Sequence, residues 1–232
     1  MGVSVTPMEL EGFDRLPLHT RRCVFWEVDP DGVTDTLDDA FTGSLGGFES
    51  EFDKEAWVSG VLLEWGTCCQ IATESTTGRV VGTAFYAPPG RVPRGKRFPT
   101  APVSADAVLL TKITTEPGFD EAAPLLLDAV VADVVGRGVR AIEAFGYSAS
   151  DAELAKDLVT LLLGGGVSGN VCDECLMSTD FLMASGFDVV AEDQYLPRLR
   201  LDLHEGLGWK SQVEQALSKL VISESISLQA VH

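Results

Sequence analysis

The sequence of 232 residues predicts a single α/β domain built on a mixed β-sheet. Three observations lead to this prediction. Short strand-like runs come first, a strand–helix–strand unit spans 106–147, and a short helix with two further strands follows. A strand–helix–strand unit makes its two strands parallel, whereas a hairpin makes its strands antiparallel. Because both patterns are present, the sheet is expected to be mixed.

The N-terminal half predicts one helix and one hairpin. Between Phe52 and Gly66, apolar residues recur at helical spacing, and the glycine ends the pattern. The stretches "CCQIATES" and "RVVGTAFYAPP" are rich in strand-forming residues and flank a Thr-Gly turn, which is typical of a β-hairpin. Two prolines, Pro88 and Pro89, stop the second strand.

The central helix, from Glu121 to Gly136, is apolar on nearly every side. We therefore expect it to be covered by other elements. Farther along, "STDFLMASGF" predicts a short helix capped by Ser178 or Thr179 and followed by Gly186. Two strands follow it, and an amphipathic helix at about 209–221 is predicted near the end of the chain.

The charge balance excludes some partners. A formal charge of −18 disfavours nucleic acid, whose phosphates are bound by Lys and Arg, and it disfavours an anionic membrane surface. Much of the acidity lies in a polar segment at about 28–51, which predicts a solvated insertion. With neither a long apolar run nor a signal-peptide pattern, the protein is expected to be cytoplasmic.

The five cysteines predict reduced thiols rather than disulfides or a metal site. Cys172 and Cys175 have the spacing of a zinc-binding pair, but Cys68 and Cys69 are adjacent and do not form a second such pair. The sequence-based expectation is therefore that the chain holds no metal.

Five stretches carry a family resemblance: "DKEAWVSGVLLEWG", "YAPPGRVPR", "FPTAPVSADAVLL", "RGVRAIEAFG" and "FLMASGF…PRLRLDL". From Arg21 onward, the chain resembles the GNAT superfamily of acyl-CoA-dependent N-acetyltransferases, and within it an actinobacterial subgroup of unassigned substrate. The resemblance implies one GNAT-like domain over 1–232, with a twisted, mostly antiparallel sheet flanked by helices and a splayed central parallel pair. It also implies transfer of an acetyl group from acetyl-CoA to an amine of a small molecule or protein.

The resemblance also implies where acetyl-CoA binds. The pantetheine arm is expected between the strands at 106–115 and 139–145, and the pyrophosphate on the loop that follows the first strand. The implied binding residues are Leu110, Thr111, Ile113, Thr114, Gly118, Phe119, Ala122 and Ala123. Glycines allow close approach there, and N–H groups at a helix start stabilise an anion.

The pyrophosphate loop departs from the family pattern, which is Arg/Gln-x-x-Gly-x-Gly/Ala. Gly118 stands at the Arg/Gln position, Glu121 at the middle glycine, and Asp120 is a second acid. These acids would repel a phosphate, or they would serve the helix dipole. An alternative hypothesis is therefore a GNAT-like protein with weakened CoA binding that acts as a binding or regulatory module. A third is a homodimer that docks through its terminal helix and Trp209.

Three residues are candidates for acid–base chemistry. Asp106 opens the central strand and is either a base or a turn residue. Glu143 is a carboxylate within an apolar strand, which is costly unless it is paired or functional. Tyr147 follows the second strand and is a candidate proton donor to the leaving thiolate, or an ordinary packing tyrosine.

Overall fold

An eight-stranded mixed sheet lies at the centre of the computed structural model, which describes residues 2–28, 50–148, 172 and 175–203. The strands are β1 (Val3–Pro7), β2 (Cys69–Glu74), β3 (Val80–Ala87), β4 (Ala107–Thr115), β5 (Ala141–Tyr147), β6 (Met177–Ser178), β7 (Asp188–Ala191) and β8 (Arg198–Asp202). The acidic segment at 29–49 and the predicted C-terminal helix at 209–221 lie outside the described residues.

The strand order confirms the predicted fold class. Seven strands follow the order β1-β2-β3-β4-β5-β8-β7, and β6 pairs with the far end of β5. The β4–β5 and β5–β6 pairs are parallel, and the others are antiparallel. The predicted hairpin is β2–β3, and the predicted strand–helix–strand unit is β4, its helix and β5.

Within the described ranges, four α-helices accompany the sheet: α1 (Leu18–Arg22), α2 (Glu51–Glu64), α3 (Ala122–Gly136) and α4 (Thr179–Ala184). The Ser50 side chain accepts the Asp53 N–H at the start of α2. Ser178, one of the two predicted caps of α4, accepts the Phe181 N–H in the same way. Of the helices described here, none has the length and apolar character to cross a membrane.

The two faces of the sheet are covered by different elements. Neighbouring residues of a strand point to opposite faces, and Leu109 and Leu110 of β4 accordingly belong to different apolar clusters. Leu110 packs with α3, whose residues Leu126 and Val130 are fully buried. Leu109 packs with residues of α2 and of the chain around α1. The α3 face and the α1–α2 face are therefore separate cores.

A β-bulge at Thr111 changes which face the later β4 side chains occupy. Phe85 of β3 lies opposite Lys112, but the next residue, Tyr86, lies opposite Leu110. The hydroxyl of Thr111, the extra residue, donates to the Phe85 carbonyl at 3.1 Å. Beyond the bulge, Ile113 packs on the α3 face, and Lys112 points to the α1–α2 face.

Gly146, near the end of β5, is expected to tolerate no side chain. A Cβ there would lie 2.6 Å from Thr179 Oγ1 and 2.8 Å from Leu199 Cδ1. We expect Gly146→Ala to lower the free energy of unfolding by about 1–3 kcal/mol, because the added methyl group forces a packed region apart. The measurement is the midpoint of urea unfolding.

The matched control is Gly60→Ala, in the middle of α2. A Cβ at Gly60 meets nothing within 4 Å, and alanine is the better helix former. This variant should unfold at the wild-type midpoint or above it. A Gly146→Ala variant as stable as Gly60→Ala would show that the β5–α4 contact can relax at no cost.

Candidate functional site

The two central parallel strands separate soon after they begin. The β4–β5 ladder runs from Ala107 opposite Ala141 to Leu109 opposite Glu143. Beyond Leu109, β4 continues to Thr115 with only β3 as its strand partner among the described residues. The β4 edge that faces away from β3 therefore presents peptide groups to which an extended ligand can hydrogen-bond.

A cleft of about 330 Å³ lies beside this edge. Its volume is at the lower end of the range for small-molecule sites. One wall is formed by β4 and the start of α3, and the other by β6 and α4. The lining residues are Ile113, Thr115, Asp120, Ala123, Leu176, Met177, Ser178 and Phe181.

The strand residues implied as cofactor ligands have different surroundings. The Ile113 side chain lines the cleft. Leu110 is buried in the α3-side core, and Thr111 is the bulge residue. Thr114 forms a hydroxyl–hydroxyl hydrogen bond of 2.9 Å with Thr83. Apart from Ile113, these side chains serve the protein's own packing, so their expected contribution to binding is limited to their backbone groups.

The loop residues implied as cofactor ligands also differ in their surroundings. Ala123 lines the cleft, whereas Ala122, the first residue of α3, is fully buried. Phe119 is also buried, with the Arg79 guanidinium 5.8 Å from its ring centre. Gly118 has φ +86°, a conformation that favours glycine.

The helix start has few free donors for an anion. The N–H groups of Ala122 and Ala123 donate to the carbonyls of Phe119 and Asp120, and Pro124 has no N–H. Among the described residues, the N–H groups of Asp120 and Glu121 have no backbone acceptor. The loop can therefore bind an anion through these two amides. An ordinary α-helix offers four free N–H groups at its start.

The two loop acids have different positions. Asp120 lines the cleft, where it would face a bound anion. Glu121 is the N-cap residue of α3, but its side chain makes no capping hydrogen bond. Glu121 therefore does not cap α3 through its carboxylate.

Asp106 and Glu143 lie together at the closed end of the strand pair, bound by arginines of β8. Arg200 donates to Asp106 at 2.9 and 3.1 Å and to Glu143 Oε1 at 3.1 Å. Arg198 and the Ser104 N–H donate to Glu143 Oε2, the latter at 3.1 Å. Asp106 is roughly 23 Å from Ile113 along the extended strand. These contacts favour structural roles for both carboxylates.

The arginines also hold both carboxylates in the ionised form. The Arg200 hydrogen bonds lower the pKa of Asp106. Burial raises the pKa of Glu143, but hydrogen bonds from Ser104 and Arg198 outweigh it, so this pKa also lies below its ordinary value. A carboxylate whose pKa is lowered is a weaker base.

The backbone of Tyr147 lies next to the cleft, whereas its side chain packs against the α1–α2 core. Tyr147 ends β5 opposite Ser178, which lines the cleft. Its hydroxyl is buried and has no hydrogen-bond partner among the described residues. A buried hydroxyl without a partner is uncommon, which keeps Tyr147 a candidate proton donor.

A group of metal-ligating side chains that sequence reasoning did not connect lies on the α1–α2 face. His19, Cys23, Cys172 and Cys175 place one ligand atom each within 4.8 Å of all the others. The Cys23 and Cys175 sulfurs are 3.2 Å apart. His19 Nε2 is 3.4 Å from the Cys172 sulfur and 3.6 Å from the Cys175 sulfur. We call these four residues the Cys3His cluster.

The missed signal was the spacing of His19 and Cys23. The sequence-based expectation of no metal depended on Cys68 and Cys69 as the only available partners for Cys172 and Cys175. His19-x3-Cys23 is a second pair, with four-residue spacing on α1 and its C-cap. Such spacing brings side chains to one face of a helix.

No protein-family model and no curated protein matches this chain. Solved structures of similar fold include the N-acetyltransferase from Staphylococcus aureus Mu50, at 12% identity and TM-score 0.49, which covers 88% of this chain and 100% of that one. The PaiA N-acetyltransferase from Thermoplasma acidophilum in complex with coenzyme A has 10% identity and TM-score 0.49, with 87% and 99% covered. The GNAT domain of S. lividans PAT has 15% identity and TM-score 0.46, with 87% and 90% covered.

With sequence identities and TM-scores this low, no activity of these proteins can be assigned to this chain. The fold class therefore depends on the strand order and on the splayed β4–β5 pair of this chain.

Proposed function

We propose that the protein transfers an acetyl group from acetyl-CoA to an amine of a small molecule or protein. The observation that carries the proposal is the early end of the β4–β5 ladder beside an open cleft. The pantetheine arm contains two amides and can pair with the free β4 edge as an added strand does. The phosphates would then lie toward the loop at 118–123.

The bulge in β4 suits the reacting end of the ligand. In the transfer, the amine nitrogen, having lost its ammonium proton to water, attacks the thioester carbon. The C–N bond forms and the C–S bond breaks, the nitrogen, which is positively charged after the attack, releases a proton to water, and the sulfur takes up a proton. Backbone N–H groups of β4 near Thr111 are candidates to stabilise the carbonyl oxygen, and the Tyr147 hydroxyl is the candidate proton donor.

Calorimetric titration with acetyl-CoA tests the proposal. We expect one binding event per chain at micromolar ligand, and competition by pantetheine, which carries the amides that pair with β4. Adenosine 3′,5′-bisphosphate lacks those amides and should bind much more weakly. Absence of binding at millimolar acetyl-CoA, in protein shown to be folded by circular dichroism, would refute it.

The second candidate function is a binding or regulatory module that has lost strong CoA affinity. The observation that favours it is Asp120, whose side chain lines the cleft near the few free N–H groups. A carboxylate facing a phosphate at 4 Å costs about 1 kcal/mol in a water-like environment and about 4 kcal/mol at lower effective dielectric.

Asp120→Asn is expected to tighten acetyl-CoA binding by about fivefold to tenfold, because it removes the like charge and keeps the side-chain shape. The gain should shrink at high salt, since exposed charges are screened. Calorimetry at two salt concentrations measures both effects.

The matched control is Glu121→Gln, which removes the neighbouring charge outside the cleft lining and should change affinity less. Wild-type binding at micromolar ligand would contradict the module hypothesis, whereas binding by the Asp120→Asn variant alone would support it. Equal acetyl-CoA affinity of Asp120→Asn and the wild type would place Asp120 away from the phosphates.

A further inference from the structure

We propose that the Cys3His cluster is a zinc site that ties α1 to the wall of the cleft. Three thiolates and one imidazole are a donor set that zinc takes in structural sites. With bonds of about 2.3 Å to sulfur and about 2.0 Å to nitrogen, a tetrahedral site separates two sulfurs by about 3.8 Å and a sulfur from the nitrogen by about 3.5 Å. The two sulfur–nitrogen distances of 3.4 and 3.6 Å match this geometry, the sulfur–sulfur distance of 3.2 Å is shorter than it, and all four ligand atoms lie within 4.8 Å of one another.

The two ligand pairs are each organised locally. His19 and Cys23 share one side of α1, because residues four apart lie on one face of a helix. The Cys175 N–H donates to the Cys172 carbonyl at 2.9 Å, which keeps these two residues together. The Trp26 indole N–H donates to the Cys175 carbonyl at 3.0 Å and holds Cys175 against the core.

The surrounding charges match a zinc thiolate site. Zinc with three thiolates and a neutral imidazole carries one net negative charge. Lys112 is buried, and among the described residues its amino group contacts the Cys175 sulfur at 3.7 Å. A buried ammonium requires an anionic partner, and a metal-bound thiolate provides one. The nearby buried pair of Lys54 and Glu27 is neutral by itself.

Cys68 and Cys69 are also buried cysteines, but they do not belong to a group of metal-ligating side chains among the described residues. Burial raises the pKa of Cys68 to about 12. They are ordinary packing thiols. Cys23 and Cys175 do not form a disulfide, because their sulfurs are 3.2 Å apart and an S–S bond is about 2.05 Å long.

The site would connect parts of the chain that lie far apart in sequence. Cys23 follows α1, and Cys175 directly precedes Leu176, Met177 and Ser178, which line the cleft. All four zinc ligands come from the protein, so no position is left open for catalysis. We infer a structural role, in which the metal holds the β6 wall of the cleft in place.

Metal analysis of the purified full chain, prepared in reductant without chelator and supplied with zinc chloride, tests the proposal. We expect about one zinc per chain in the wild type and in Cys68→Ala, and a loss of at least tenfold in Cys172→Ala. Cys172 is the least buried of the three cysteine ligands. Less than a tenth of a zinc in the wild type, or equal zinc in Cys172→Ala, would overturn the site.

Cobalt substitution of the wild type needs no variant and tests ligand identity. Co²⁺ bound by three thiolates and an imidazole should give the intense visible bands and the thiolate charge-transfer absorption of a tetrahedral site. A weak octahedral spectrum would overturn the assignment. Removal of zinc by a strong chelator should lower the unfolding midpoint by roughly 5–10 °C, and an unchanged midpoint would contradict the structural role.

Zinc content and the cobalt spectrum do not depend on acetyl-CoA. The effect on the cleft rests on the proposed function: the zinc-free chain should bind acetyl-CoA more weakly than the zinc-loaded chain. If the protein does not bind acetyl-CoA, the metal-site proposal is unaffected. If it does not bind metal, the acetyl-CoA proposal is still tested by the titrations described above.

Discussion

Replacing Glu143 with alanine is expected to lower the free energy of unfolding by about 3–5 kcal/mol, the cost of breaking a buried ion pair from one side. The Glu143 carboxylate is fully buried and accepts hydrogen bonds from Arg198, Arg200 and the Ser104 N–H. Alanine would leave Arg198, whose side chain is 14% exposed, without a carboxylate partner among the described residues. Chemical denaturation at pH 7 measures the loss.

The matched control is Asp202→Asn. Asp202 pairs with Arg200 at 2.7 Å, but its side chain is 59% exposed. Exposed ion pairs contribute about 0–1 kcal/mol, so this variant should unfold close to the wild type. Equal losses in the two variants would show that burial does not decide the strength of this cluster.

The Glu143 contribution should also depend on pH in a defined direction. The folded-state pKa of Glu143 is lowered, so the ionised form is favoured by folding. The stabilisation is fully present above the unfolded-state pKa of about 4.3 and is lost as the pH falls through the folded value. The stability difference between wild type and Glu143→Ala should therefore be constant from pH 8 to pH 6 and narrow below about pH 4.

Replacing Ala123 with phenylalanine is expected to weaken acetyl-CoA binding by at least about 100-fold, which corresponds to about 2.7 kcal/mol. Ala123 lines the cleft at the first turn of α3 and is only partly buried. A phenyl ring there would occupy space that the ligand needs without entering the core. Calorimetric titration of the variant with acetyl-CoA gives the change in affinity.

Leu125→Phe is the control for this variant. Leu125 is two residues farther along α3, 43% exposed, and outside the cleft lining. It should keep wild-type affinity, and both variants should keep the wild-type unfolding midpoint within a few degrees. If Ala123→Phe binds acetyl-CoA as the wild type does, the cleft between β4 and β6 is not the acyl-CoA site.

The elements of the sheet could be predicted because their signals are local. The strand predicted at 106–115 is observed as Ala107–Thr115, and the helix predicted at 121–136 as Ala122–Gly136. The bulge at Thr111 has no such signal, because it is defined by the pairing of β4 with β3. It nevertheless decides that Lys112 points to the α1–α2 face.

The candidate site could be predicted only in part. The family resemblance implies Ile113 and Ala123 as binding residues, and both line the cleft. The neighbours of Glu143 do not follow from its own strand, because Arg198 and Arg200 belong to β8. A paired structural carboxylate and an unpaired catalytic one look the same within an apolar strand.

Sequence by itself determined the local features: the periodic apolar runs, the capping serine of α4, and the close spacing of His19 with Cys23 and of Cys172 with Cys175. Tertiary structure alone decided which distant groups meet. Cys23 and Cys175 are 152 residues apart in the chain, yet their sulfurs are 3.2 Å apart. Asp120 lies far from both cysteines in the sequence and lines the cleft. The physical reason is that side-chain chemistry belongs to each residue, whereas proximity depends on how the whole sheet and its two cores pack.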